Sequence, residues 1–297
     1  MKYSILFSIL ILCFAILNHS CTNSNNRETI LLNGKWNFCV DSTLTGYQEN
    51  WDISGLPGNL SSIVNVPHTW NTDKGLGKFW GVCWYEKKFE ISKKQINKTA
   101  RLQFDAVYHD AIIYMNGQIA GEHIGSGYNR FYINISPYMK KGENTLSVRV
   151  DNSASPFNIP FQKSFDWAND GGIYRNVSLI LTEPQAIENI HVTATPDGNK
   201  GTAQIEIGFI NPELLKISEI RLEASIIEEN QKTTNTIFSG DLKGTIKNDH
   251  FICQLDFDTI HPWHFDSPSL YKIHVKLFSN GKEKDELSTV FGFRSIK

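Results

Sequence analysis

Apolar and polar residues alternate with a period of two along most of the chain after residue 27. Residues 101–106 (RLQFDA), 146–150 (LSVRV) and 177–181 (VSLIL) carry an apolar side chain at every second position. Successive side chains of a strand point to opposite faces of a sheet, so this pattern predicts strands with one buried face. No window of a dozen residues has a clear helical period. The sequence therefore predicts an all-β protein.

Turn residues separate the predicted strands. The pairs at 116–117 (NG), 141–142 (KG) and 171–172 (GG) lie between these runs. Asn116 and Gly117 lie between two apolar runs, and both residue types tolerate a positive φ angle. This pair predicts a tight hairpin.

The rhythm of the predicted strands changes near Glu183 and Pro184. We therefore predict a first domain at residues 22–183 and a second domain at residues 184–297. The first carries most of the tryptophans and glycine-rich turns, and its length suits an eight-stranded jelly roll. About seven short strands in the second favour an immunoglobulin-like or fibronectin-like sandwich.

Residues 1–21 have the pattern of a secretion signal. Lys2 precedes an apolar run at residues 5–17 that is too short to span a bilayer comfortably. Ser20 and Cys21, followed by a polar stretch, resemble a bacterial lipoprotein cleavage site at which Cys21 becomes lipidated. Asn18 stands where that motif prefers leucine, so ordinary secretion is the alternative. We expect export to the periplasm or outer membrane, with membrane contact through the lipid alone.

Charge and cysteine content exclude several classes of function. The formal net charge is -2 and no long basic run occurs, so nucleic acid is not an expected partner. Once Cys13 and Cys21 are set aside, three cysteines remain, and none has a CxxC spacing. Neither a disulfide framework nor a zinc site is indicated, and buried free thiols are expected. Phosphate loops and GxSxG elbows are also absent from the sequence.

Five groups of motifs occur in a characteristic order between residues 31 and 294. They are VPHTWN with GVCWYEKKF (66–71, 81–89), FDAVY with YMNG and GYNRF (104–108, 114–117, 127–131), GGIYRNV (171–177), PW with SP and LY (262–271), and FGFR (291–294). Together they resemble glycoside hydrolase family 2 of the β-galactosidase and β-glucuronidase type. The resemblance implies a sugar-binding jelly roll, then an immunoglobulin-like domain and a linker into a catalytic (β/α)₈ barrel.

The resemblance also implies which groups would perform catalysis. Retaining glycosidases need two carboxyl groups facing one sugar, and in this family both are glutamates on barrel strands. A barrel requires at least about 200 residues, whereas three residues follow Arg294, and the sequence contains no Asn-Glu dipeptide. Acidic residues at 228–229 and 283–286 lie in charged stretches that we expect to be solvated loops. We therefore expect no catalytic residue in this chain.

Three residues of the first domain are candidates for contact with sugar. Asp166 lies five residues before Gly171, where the resemblance implies a carboxylate that holds a substrate hydroxyl or a monovalent cation beside it. A loop aspartate that caps a turn is an equal alternative. The resemblance also points to Asn71. Trp167 beside Asp166 is the candidate for stacking on a sugar, whereas Trp84 is expected in the core. Trp70 and Trp80 are further aromatic candidates.

The sequence leaves three functional interpretations. The first is the amino-terminal part of a family 2 hydrolase that cleaves terminal β-linked sugars, foremost β-galactosides, when joined to a barrel. The second is a stand-alone carbohydrate-binding or adhesion lipoprotein. The third is a scaffold for a separately encoded catalytic barrel. No cofactor is expected within this chain other than the cation near Asp166, and no protein-bound metal is expected from its histidines.

Overall fold

The structure, a computed structural model, describes residues 26–154, 170–214, 219–229 and 234–295. Within the described residues, the first part folds into ten strands: β1 (Glu28–Leu31), β2 (Gly34–Asp41), β3 (Ser62–Val66), β4 (Val82–Ile91), β5 (Thr99–Phe104), β6 (Asp110–Met115), β7 (Gln118–His123), β8 (Phe131–Asn134), β9 (Gly142–Asp151) and β10 (Val177–Thr182). They form a six-stranded sheet of order β3-β2-β4-β9-β6-β7 and a four-stranded sheet of order β1-β10-β5-β8.

The second part contributes eight strands within the described ranges: β11 (Ala186–Asp197), β12 (Lys200–Ile210), β13 (Ile220–Glu229), β14 (Thr234–Asp241), β15 (Thr245–Lys247), β16 (His250–Phe257), β17 (Leu270–Ser279) and β18 (Lys282–Phe291). They form two four-stranded sheets of order β11-β12-β16-β15 and β14-β13-β17-β18. The architecture confirms the prediction of an all-β chain made of a jelly roll followed by an immunoglobulin-like sandwich.

Helical structure is confined to short turns in the described residues. These are α1 (Trp51–Ser54) and the 3₁₀ turns Trp70–Thr72, Ser136–Tyr138 and Pro212–Leu214. None of the described helices is long and apolar enough to cross a membrane.

The two sheets of the first sandwich enclose one apolar core. Leu102 and Phe104 of β5 face Leu146 and Val148 of β9 in that core, and none of these side chains is exposed. Gln103, between Leu102 and Phe104, and Arg149, which follows Val148, are not part of the core cluster. The alternation seen in the sequence therefore sorts side chains between the core and the outer faces, as expected for a sandwich.

A second, smaller core covers the outer face of the six-stranded sheet. Residues 42–61, including α1, cross this face and pack Trp51 against Trp84, which also stacks on Tyr114 with ring centroids 5.4 Å apart. The buried carboxylate of Asp41 accepts hydrogen bonds from the Trp84 Nε1 and the Gly46 backbone N, both at 3.1 Å. Trp84 is fully buried, which confirms its predicted place in a core.

The second sandwich has its own core, formed where the inward faces of its sheets meet. Ile205 and Ile207 of β12 lie opposite Ile273 and Val275 of β17, and all four are fully buried. Tyr271, the second residue of β17, is also fully buried. Its ring packs on that of Phe293, with the two ring centroids 5.1 Å apart. The chain thus folds around two separate hydrophobic cores.

The three cysteines in the described residues are free and buried, as expected from the sequence. Burial raises the pKa of the Cys39 thiol to about 11 and that of Cys253 to about 11, and it raises the pKa of Cys83 even further. At neutral pH these thiols are protonated, so they are poor nucleophiles and act as small apolar side chains.

The predicted hairpin at Asn116 and Gly117 is confirmed, with φ angles of 51° and 80° between β6 and β7. More strands form than the eight and about seven that were expected. The strands that the sequence did not reveal, such as β1, β3 and β15, are three to five residues long. So few residues give too few alternations for a period of two to stand out.

Truncating a core residue and an exposed residue of the four-stranded sheet should have very different effects. Leu102→Ala should lower the free energy of unfolding by about 2–5 kcal/mol, because the fully buried side chain leaves a cavity. Leu31→Ala, at a side chain that is 60% exposed on β1, should change it by less than about 0.5 kcal/mol. Urea unfolding followed by tryptophan fluorescence measures both, and equal effects would contradict the core assignment.

Candidate functional site

Three segments that are distant in sequence meet at one end of the first sandwich. Tyr108 and Gly172 exchange two backbone hydrogen bonds, of 2.9 and 3.0 Å. On the other side of the same segment, the His68 backbone N donates to the Ile173 O at 2.8 Å, and the Trp70 N donates to the Gly171 O at 3.1 Å. Residues 171–173 therefore lie clamped between residues 68–70 and residue 108.

The glycine pair at this position is required by close backbone approach. A β-carbon on Gly171 would overlap the indole ring of Trp70, and one on Gly172 would overlap the carbonyl oxygen of His68. Gly172 also has a φ angle of 138°, a conformation that other residues rarely adopt. The sequence motif GGI thus reflects a backbone that packs directly on an aromatic ring.

Asn71 ties this segment to the loop that precedes β4. Its Oδ1 accepts a hydrogen bond from the Gly171 backbone N at 2.8 Å. Its Nδ2 donates to the carbonyl oxygens of Leu76 and Phe79 at 3.2 and 3.1 Å. The amide therefore shapes the loop, and the predicted contact of Asn71 with a sugar stays a prediction.

A hydrogen-bonded chain of side chains leads from the buried Tyr85 through His68 to the partly exposed Asp73. The His68 Nδ1 is 2.8 Å from the Tyr85 hydroxyl, and its Nε2 is 3.1 Å from the Asp73 Oδ2. When Nε2–H donates to the carboxylate, Nδ1 can accept a hydrogen bond from the Tyr85 hydroxyl. Burial raises the pKa of Tyr85 well above its usual range. Tyr85 therefore stays protonated and serves the structure of the loop.

Aromatic rings border the clamped segment on the Tyr108 side. The Tyr108 ring lies 5.5 Å from that of Tyr128, which is 43% exposed. The Tyr174 hydroxyl donates to the Gly127 carbonyl at 2.6 Å, and this holds the Tyr128 loop against the segment. Burial is the main cause that raises the pKa of Tyr174. Tyr108 is buried, whereas Tyr128 and the partly exposed Tyr174 offer apolar faces with polar edges, which suits contact with a sugar ring.

Tyr128 and Tyr174 were not among the residues singled out from the sequence for sugar contact. The signal was present, because both belong to the GYNRF and GGIYRNV motifs. Sequence spacing alone does not reveal that these two motifs lie side by side.

The other predicted residues divide into two groups. Asp166, Trp167 and Cys21 lie outside the described residues, so their roles stay predictions. Trp70, named as a possible stacking residue, is fully buried against Gly171. Stacking of Trp70 on a sugar is therefore wrong, because the ring has no free face.

The interpretation of the acidic stretches as solvated loops was also wrong. Glu228 lies on β13 and is 7% exposed, and Asp285 lies on β18 and is not exposed. Strand alternation turns these two side chains inward while their neighbours face solvent. The Glu228 Oε1 contacts the His261 Nδ1 at 2.7 Å, and Asp285 pairs with Arg27. Each carboxylate has its own structural partner.

The fold and the site define a class of protein: two consecutive β-sandwiches, the first with an aromatic loop cluster at one end. This loop cluster consists of residues 68–73, 108, 127–128 and 171–174. Models of two domains of one family match consecutive parts of the chain. "Glycosyl hydrolases family 2, sugar binding domain" matches residues 76–184, and "Glycosyl hydrolases family 2" matches residues 185–294. The chain belongs to glycoside hydrolase family 2, as the sequence motifs predicted.

Relatives and solved structures agree with this family. The chain is 31% identical over 281 residues to a putative β-glucuronidase of Formosa agariphila, covering 92% of this chain and 32% of the relative. It is 28% identical over 300 residues to the β-galactosidase BoGH2A of Bacteroides ovatus, covering 93% and 33%. A β-glucuronidase structure from an uncultured Clostridium sp. matches with a TM-score of 0.73 and 26% identity, covering 91% of this chain and 45% of that one. The chain spans about a third of the length of these two curated relatives.

Adding a methyl group at the clamped segment should disrupt it. Gly171→Ala should lower the free energy of unfolding by about 1–3 kcal/mol, because the new β-carbon overlaps the Trp70 ring. Near-ultraviolet circular dichroism should change as the tryptophan packing changes. The matched control is Gly58→Ala, where a β-carbon meets nothing within 4 Å. A Gly171→Ala protein as stable as the control would show that the backbone does not need this close approach.

Proposed function

We propose that this chain is the sugar-binding, non-catalytic front of a longer family 2 hydrolase that cleaves terminal β-linked galactosides or glucuronides. The observation that carries the proposal is the consecutive match of two domain models from this family to residues 76–294. The relatives bear the names β-glucuronidase and β-galactosidase, and the matched chain covers about a third of the two compared above. Hydrolysis is a property of the longer enzyme in this proposal.

The arrangement of the carboxylates supports a positioning role for these residues. Retention of configuration requires two carboxyl groups about 5–5.5 Å apart that face one sugar. The buried carboxylates of Asp41, Glu228 and Asp285 each bind partners within the protein. The chemistry left to this part of the enzyme is to orient substrate through side chains of the loop cluster.

In this proposal the loop cluster faces the substrate. Tyr128 and Tyr174 offer ring faces to the apolar side of a sugar, and Asp166 and Trp167 supply a carboxylate and a further ring from the adjoining segment. Asn71 sets the position of residue 171, five residues after Asp166. A monovalent cation beside Asp166 belongs to the same proposal.

The isolated chain should not hydrolyse glycosides. Purified protein incubated with nitrophenyl β-galactoside, β-glucuronide and β-mannoside should release nitrophenol at the rate of the protein-free control, because hydrolysis with retention needs a pair of carboxyl groups that we find nowhere in the described part of the chain. A rate above that background, retained through a second purification step, contradicts the proposal. The coding region beyond Lys297 provides an independent check, since the proposal requires a barrel domain there or in a separate partner chain.

Calorimetric titration with methyl β-galactoside and methyl β-glucuronide distinguishes the alternative, a stand-alone carbohydrate-binding lipoprotein, from the proposed front part of a hydrolase. That alternative requires millimolar or tighter binding by the chain alone, lost in Asp166→Ala and Trp167→Ala. The matched control is Asp258→Ala, an exposed aspartate of the second sandwich. The hydrolase proposal expects binding weaker than millimolar by the chain alone, because a front domain supplies only part of the contacts to the sugar.

We also propose that the protein is exported and anchored by lipid on Cys21. The apolar run at residues 5–17 and the Ser20-Cys21 pair support this proposal. Expressed in a Gram-negative host, the chain should incorporate radiolabelled palmitate and sediment with membranes. Cys21→Ser should abolish both, whereas Cys13→Ser, within the signal, should leave both unchanged. Equal labelling of the Cys21→Ser protein would exclude this anchor.

A further inference from the structure

Charged side chains join the two sandwiches at a junction made by residues 26–28, 183–188 and 283–285. Arg27 precedes the first strand of the first sandwich, and Asp285 lies on the last strand of the second. The Arg27 Nε donates to the Asp285 Oδ1 at 3.0 Å, and its Nη2 donates to the Oδ2 at 2.7 Å. The contact therefore joins residues 258 positions apart. Two parallel hydrogen bonds of this kind fix orientation as well as distance.

The acceptor of this pair is buried within the second sandwich. The Asp285 side chain has no exposed surface, and its Oδ2 also accepts the Ile187 backbone N at 2.7 Å. The Arg27 Nη2 donates to the carbonyl oxygen of Ile187 as well. Ile187 and Asp285 lie on β11 and β18, the edge strands of the two sheets. The Arg27 side chain thus binds where these two edge strands meet. Without Arg27, the buried Asp285 carboxylate would lose its counter-charge.

A second pair binds the next residue of β11. The Arg101 Nη1 donates to the Glu188 Oε1 at 3.0 Å, and the Arg101 side chain is 8% exposed. Arg101 belongs to β5 in the four-stranded sheet of the first sandwich, so this contact crosses the junction at another point. A further hydrogen bond, from the Asn26 Nδ2 to the Glu283 O at 2.9 Å, flanks the Arg27 contact. The guanidinium groups of Arg27 and Arg101, from the first sandwich, therefore bind two consecutive residues of the second sandwich, Ile187 and Glu188.

We propose that Arg27 is a latch that holds the two sandwiches at one fixed angle. The covalent connection is three residues long, between Thr182 of β10 and Ala186 of β11. A short peptide link alone leaves relative rotation free, and domain motion is the usual outcome at small interfaces. The latch requires β18 to be in place, because Asp285 lies on that strand. It sets the position of the loop cluster of the first sandwich relative to the end of the second sandwich. This proposal does not depend on the hydrolase function.

Distance measurements between the sandwiches test the latch. Spin labels are placed at Lys141→Cys and Lys247→Cys, two exposed positions on different sandwiches, in protein expressed from residue 22. The cysteines in the described residues are buried and should resist labelling. Pulsed electron paramagnetic resonance should give one narrow distance distribution for the parent protein. Arg27→Gln and Asp285→Asn should each lose the single narrow peak, while near-ultraviolet circular dichroism shows that both cores persist.

The matched control is Arg221→Gln. Arg221 also contacts two carboxylates, Glu223 at 2.8 Å and Asp241 at 2.7 Å, but it is 45% exposed and all three residues belong to the second sandwich. Its loss should leave the narrow peak unchanged. If both latch variants fail to fold, Arg27→Lys keeps the charge and removes the two-pronged contact, and it should broaden the distribution. A folded Arg27→Gln, Asp285→Asn or Arg27→Lys protein with the parental narrow peak overturns the proposal.

Discussion

The candidate site of the first sandwich depends on direct packing of the backbone at residues 171–172 against residues 68–70. The absence of a side chain at Gly171 lets the Trp70 ring fill the space at the sheet end. Gly172 then reaches Tyr108 with two backbone hydrogen bonds. Because packing in protein interiors is dense, there is no slack to absorb even one methyl group here. The direction in which the chain enters β10 follows from this contact.

The acidic groups of this chain show how the same chemistry serves structure or catalysis according to its surroundings. In a retaining hydrolase two carboxyl groups face one substrate. In the described residues, the buried carboxylates of Asp41, Glu228 and Asp285 instead bind an indole, an imidazole and a guanidinium, respectively. Each polar partner satisfies a charge that would be costly to bury alone. These groups hold loops, a strand end and a domain junction in place.

Family membership fits the division of labour within this fold. Relatives named β-glucuronidase and β-galactosidase match the same two sandwiches at similar identity. The glycine pair of this chain is explained by close backbone approach to Trp70 and His68, which is a property of the architecture and not of a particular sugar. A rigid scaffold with variable loops is a common way to combine a stable fold with different specificities.

The sequence by itself determined the class of fold, the hairpin at Asn116 and Gly117, the buried thiols and the family. These follow from local periodicity, turn chemistry and motif order, which a single chain displays directly. Only the tertiary structure decided that Trp70 is buried, that Tyr128 and Tyr174 are neighbours, and that Asp285 turns inward to meet Arg27. Each of these depends on contacts between residues far apart in sequence. A charged residue such as Asp285 is expected to be exposed. Asp285 is buried instead, because its counter-charge, Arg27, comes from the other end of the chain.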